Sequence, residues 1–262
     1  MVMKKFAKSM LAGAALLAAG SVSAAAADLI VPPPPAPVPT GGWYLRGDIG
    51  MTNQMVGSLD NYYYHQANTE NLVHVDKNFE AGALYDIGVG YQFNHWLRAD
   101  AIVQYRGETG FHGLDTFYDV SNAADVFDNY TAKKSEWLVM ANAYVDLGDY
   151  HGIVPYIGAG IGASRNTISS FRDEGIDPTT GNPTLAYADA ASKWNLAWAL
   201  HAGLAFKVTD QLTIDLGYSY VDLGSARSGD IIAYDGTNNV YNPMYFKHIT
   251  SHDVKLGVRY TF

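Results

Sequence analysis

Eight times along this chain, apolar side chains fall on every second position for about ten residues, and each time the positions between them are polar, charged or small. The last stretch shows the rule. Val254, Leu256, Val258, Tyr260 and Phe262 share one face, and Asp253, Lys255, Gly257, Arg259 and Thr261 share the other. One such strand would suit the half-buried edge of any sheet. Eight of them, separated by turn residues, are the signature of a transmembrane β-barrel. The stretches are 43–51, 83–93, 97–106, 136–147, 156–164, 195–207, 212–220 and 253–262. Their connections alternate between long (52–78, 107–134, 165–192, 222–247) and short (94–96, 149–152, 209–211). The expected fold is therefore all-β: an eight-stranded antiparallel up-and-down barrel with short periplasmic turns and four long extracellular loops. Both ends of the barrel domain, 42–262, then lie in the periplasm.

Bulk composition hides this. The 262 residues are 48% hydrophobic and the mean hydropathy is −0.07, because only alternate strand residues need to face lipid. The one continuous apolar run, Met10 to Ala19, follows Lys4, Lys5 and Lys8 and precedes small residues at Ala24 to Ala27. That order of regions predicts a secretory signal peptide over 1–26. Residues 27–41 carry Pro32-Pro33-Pro34-Pro35-Ala36-Pro37-Val38-Pro39, a donor-poor tract expected as an extended periplasmic linker, with room for a docking partner. The chain has no cysteine, so it carries neither disulfides nor thiolate metal sites. Its net charge of −9 argues against nucleic acid, and loss of the leader lysines makes it more acidic still.

The polar face is charged. Acids Asp48, Asp86, Asp100, Glu136, Asp146, Asp215 and Asp253 and bases Arg46, Arg98, Arg106, Lys207, Lys255 and Arg259 all fall on it. Such a set cannot line the greasy interior of a soluble lipocalin-type barrel. Turned into the lumen of a narrow eight-stranded barrel, the two signs are expected to pair and fill it. The expected function is an outer-membrane surface protein with a closed, charge-paired lumen, acting in envelope structure and surface contacts. A small or gated porin is the alternative. A lipid-modifying barrel enzyme is a distant third, because Ser251, His252 and Asp253 alternate sides on a strand and cannot meet as a triad. Gly158, Gly160 and Gly162 lie two apart on a strand face; they do not form a phosphate loop and make room for large lumenal neighbours such as Tyr144. His65, His74, His112 and His248 lack ligand spacing, and no cofactor or metal is expected.

Several motifs resemble the small OmpA-like outer-membrane barrels, and more closely the porin-family surface antigens of alphaproteobacteria. They are Ala27-Asp28 before the proline tract, Gly42-Trp43-Tyr44, Asn142 to Asp146 with Pro155 to Gly162, Leu216 to Tyr220, and Gly257 to Phe262. The resemblance implies a Gram-negative outer membrane and contact with its lipid and lipopolysaccharide. It also implies recognition by the barrel assembly machinery through Tyr260 and the terminal Phe262, and a host or envelope ligand at the loops. No peptidoglycan-binding domain is expected after the last strand.

Overall fold

The computed structural model describes residues 41–262. The leader 1–26 and the proline tract 32–39 lie outside the described residues. Ten strand segments follow in order: β1 (Gly42–Asp60), β2 (Thr69–Phe79), β3 (Gly82–Gln92), β4 (Leu97–Asp119), β5 (Ala124–Asp146), β6 (Ile153–Ile176), β7 (Pro183–Ala188), β8 (Ala191–Lys207), β9 (Leu212–Ala233) and β10 (Pro243–Thr261). They make eight staves. β2 and β3 form one stave broken at Glu80 and Ala81, because β2 and β3 each run along β4. β7 and β8 form another, both lying between β6 and β9. All neighbours are antiparallel, and the last strand closes on the first from Tyr44 opposite Thr261 to Asp60 opposite Tyr245.

Each short turn is held by a side chain suited to it. Asn94 Oδ1 accepts from the amides of Trp96 and Leu97 at 2.9 and 2.8 Å. Asp149 Oδ1 accepts from Gly152 N at 2.7 Å, and Thr209 Oγ1 accepts from Leu212 N at 2.9 Å. Such local bonds are why Asn, Asp and Thr favour turns.

The four extracellular excursions are built differently from irregular loops. The staves continue through most of 52–78, 107–134, 165–192 and 222–247, leaving only tips at 61–68, 120–123, 177–182 and 234–242. The period-two signal fails there because β-bulges reset its phase. Buried residues are three apart instead of two at Arg106 and Thr109, Ile168 and Phe171, Leu223 and Ala226, and Phe246 and Ile249. The ladder register shifts at the first, second and fourth of these, and at Gly224 on the third. Ser170, Gly224 and His248 take left-handed φ values of 51°, 75° and 55°, as bulge residues do.

The outward face carries Ile87, Leu196, Ile161, Ile49 and Leu200, each more than half exposed; an apolar belt of this extent needs lipid. Rings border the belt. Trp43, Tyr91 and Phe93 pack edge to face, with ring centres 5.3 and 5.2 Å apart, on the periplasmic side. Tyr85, Tyr105 and Trp137 stand in register on the other. About eight strand residues at about 3.4 Å, tilted by about 40°, separate the two rows by roughly 20 Å. Ile87 lies between the rows, and Val73 faces outward beyond them. Ile87→Arg is accordingly expected to cost about 2–4 kcal/mol, whereas Val73→Arg should stay within about 0.5 kcal/mol. Urea titration in lipid vesicles would measure both, and equal costs would place the lipid boundary elsewhere.

Candidate functional site

Inside, the lumen is stacked in three charged layers, with an apolar layer and then an acidic vestibule above them. At the periplasmic end Arg98 pairs with Asp146 at 3.1 Å, its guanidinium lying 4.2 and 4.6 Å from the ring centres of Tyr144 and Tyr156. Arg259 faces Asp215 at 3.5 Å and lies 5.4 Å from the Tyr44 ring centre. Gly158 leaves room here, since a Cβ on it would come within 2.5 Å of the Tyr144 ring.

The middle layer centres on Arg46, which pairs with Asp48 and, at 2.9 Å, with Asp100. Asn142 Nδ2 donates to the other Asp100 oxygen at 2.8 Å. Lys255 bridges Asp48 and Asp86 at 3.7 and 3.4 Å, and Gln104 Nε2 donates to Asp86 at 2.9 Å. His201 is a hydrogen-bonding lumen residue, with Ser219 Oγ at 2.8 Å and Asn142 Oδ1 at 3.2 Å.

The third layer belongs to Arg106. It donates to both oxygens of Asp253 at 3.0 and 2.7 Å, to Thr52 and Ser251 at 2.8 Å, and forms an ion pair with Glu136 at 2.9 Å. Lys134 shares Glu136 and donates to Gln54 at 2.7 Å. Its side chain is fully buried.

Lys207 requires a correction. Expected among the lumen charges, it ends β8 at the periplasmic rim, where the strand leaves the barrel and an inward position opens to water. Its half-exposed side chain pairs with Asp149 at 2.6 Å. The other twelve charges predicted for the lumen are buried there, and Lys134 is the base that the sequence reading missed because it fell inside a presumed loop. Ser251 and Asp253 are buried while His252 faces outward, its Nδ1 2.5 Å from the Tyr218 hydroxyl, so these three do not converge.

Above Arg106 the lining turns apolar. Phe111 sits 5.1 Å from Phe79 and 4.9 Å from Phe246 between ring centres, within a buried cluster that includes Val56, Leu223 and Ile249. This half follows the rule of a water-soluble protein, apolar within, and the bulges make the switch.

The vestibule lies at the extracellular mouth, where all four hairpins enclose a cavity of about 370 Å³. Asp115 is fully buried, bonded to the Tyr64 hydroxyl and 2.6 Å from His74 Nδ1. Burial and the Asp115 charge push the Asp128 carboxyl up to about 6. Burial, together with Asp128, Asp115 and Glu174, pushes Asp173 well above the usual carboxylate range.

A closed antiparallel barrel with a lipid-facing belt, two aromatic rows and a polar lumen defines an outer-membrane β-barrel protein. Residues 12–262 match the family described as outer membrane protein beta-barrel domain, and the chain belongs to that family. An uncharacterized protein of Brucella suis is 35% identical over 252 residues, covering 84% of this chain and 85% of that one. Outer membrane protein PagN of Salmonella typhimurium is 27% identical over 188 residues, 67% of this chain and 71% of its own. Among solved structures, neisserial surface protein A aligns with a TM-score of 0.46 at 14% identity, over 84% of this chain and 97% of that one. The protein therefore resides in the outer membrane, with both barrel ends on the periplasmic side.

Proposed function

We propose that this barrel is closed and non-catalytic and works from its extracellular hairpins, in envelope structure and in contacts at the cell surface. One observation carries the reading. The charges that would line a water-filled pore have almost no contact with water: Arg98 is 1%, Arg106 0% and Asp253 1% exposed. Paired charges of this kind hold a lumen shut, because separating them leaves ions unsolvated. The apolar layer around Phe111 and Phe246 adds a second seal. Contact with lipopolysaccharide along the outer rows, and with a host or envelope ligand at the tips, belongs to the same reading. So do cleavage of the leader 1–26, a periplasmic role for 27–41, and recognition by the barrel assembly machinery of Tyr260 and Phe262, whose rings pack at 5.4 Å on the outward face.

Single-channel recording of the refolded, heat-modifiable protein in planar bilayers tests the closed lumen. The expected trace is silent. Reproducible conductance steps from folded, inserted protein would replace this reading with that of a small porin.

A further inference from the structure

The vestibule has the chemistry of a receptor for cations. Among the described residues no lysine or arginine lines it, while Asp119, Asp128 and Asp173 do. Asp115 beneath them is satisfied by Tyr64 and His74, but the two deeper lining carboxylates are not. Asp128 accepts one long bond, from the Tyr130 hydroxyl at 3.4 Å. Among the described residues the Asp173 carboxylate, set into the cavity wall, has neither a hydrogen-bond donor nor a cationic partner. A recessed, unpartnered carboxylate beside a second one is costly unless a positive charge arrives. The aromatic side chains Tyr63, Tyr64, Phe117 and Tyr130 complete the wall, offering ring faces to methylenes and ammonium groups.

Among the described residues, no group of three acids or histidines is placed to hold a metal ion. The negative charge is spread over several strands, which suits an extended cation better than a compact one. We propose that the vestibule binds a linear alkylammonium ligand, its nitrogens against Asp128 and Asp173 and its methylenes along Tyr64, Tyr130 and Phe117. The same chemistry reaches a cell surface in two forms, as a free aliphatic polyamine or as the lysine side chain of a protein. The inference deepens the surface-contact reading and is independent of whether the lumen conducts.

The site is linked to protons. Asp128 and Asp173 lie on the adjacent strands β5 and β6, in a neighbourhood that holds Asp115 and Asp119 of β4, Glu174 of β6, Tyr64, Tyr130 and His74. Asp230 of β9 is tied to the lining residues Asn238 and Asn242. Raised carboxyls carry protons in the empty site at mildly acid pH, and an ammonium ligand must displace them. Affinity therefore rises with pH through about 6.

Calorimetric titration of the folded full-length mature protein in nanodiscs with spermidine, a tri-lysine peptide and magnesium chloride, at pH 5 and 7.5, tests this. Spermidine is expected to bind one to one at pH 7.5 and roughly tenfold or more weakly at pH 5. Asp173→Asn and Asp128→Asn should each weaken it roughly tenfold or more, with heat-modifiable mobility showing that both variants fold. Asp125→Asn, at an exposed position of β5 outside the vestibule lining, should bind like the parent. Binding of the peptide as well assigns the site to lysine side chains; binding of spermidine alone assigns it to free polyamines. No binding of either amine, equal competition by magnesium, or unchanged affinity in both Asp→Asn variants would overturn the proposal. None of these results would alter the conductance test of the closed barrel.

Discussion

Arg106→Ala is expected to destabilise the barrel by about 3–5 kcal/mol. The guanidinium is fully buried and is the shared partner of Asp253 and Glu136. Truncation leaves two carboxylates in the lumen with Lys134 as the only remaining base of that layer, and takes donors from Thr52 and Ser251 as well. Most of the loss is the cost of stranding a carboxylate rather than the worth of the pair, so neutralising the one left without a base should reverse it. Glu136 keeps Lys134, so Arg106→Met combined with Asp253→Asn is expected to recover most of the stability. Urea midpoints of the refolded proteins in lipid vesicles decide the matter. An Arg106→Ala midpoint equal to that of the parent would mean that water reaches this layer and that the lumen is wetter than its burial implies.

Phe246→Ala should cost a similar amount, about 3–5 kcal/mol, but the damage should be confined to one half of the molecule. Phe246 is fully buried between Phe79 and Phe111, above the charged layers and beyond the aromatic row of Tyr105 and Trp137. Amide exchange is expected to quicken in β2 and in the upper parts of β4, β5 and β10, while the ladder below Arg106 stays protected. Uniform loss of protection would show that the two halves unfold as one unit.

The sequence made the membrane-embedded half legible because nothing there interrupts the alternation. From Leu97 to Arg106, or from Asn195 to Lys207, one parity faces lipid and the other faces the lumen, so the charged set could be named from spacing alone. The extracellular half obeys the same alternation in a shifted phase. The extra residue near Gly107 and Glu108, and those at Ser170, Gly224 and His248, each flip the remaining strand, and no composition signal warns of it. Three of the apparent loop boundaries, at 107, 165 and 222, fall at or shortly before such bulges. Lys134 was lost differently: it keeps the parity of Glu136 along an unbroken stretch of β5, but it fell inside the presumed loop 107–134. Lys207 shows the opposite failure: its parity is right, but parity carries no information about where a stave runs out into water. The vestibule was hidden for a third reason. Asp128 and Asp173 come from adjacent strands and Asp115 from the next, and only the ladder register brings them together.

The hairpin construction of the extracellular half governs how this surface can diversify. Irregular loops could absorb insertions anywhere along their length; a ladder cannot, because one added residue turns every side chain beyond it inside out. Only the tips at 61–68, 120–123, 177–182 and 234–242 escape that constraint. A lineage under pressure from phage or antibodies can therefore alter those tips and the outward ladder positions while the walls of the cup stay fixed. What it presents to a binding partner is a preformed rim, so little ordering entropy is lost on contact.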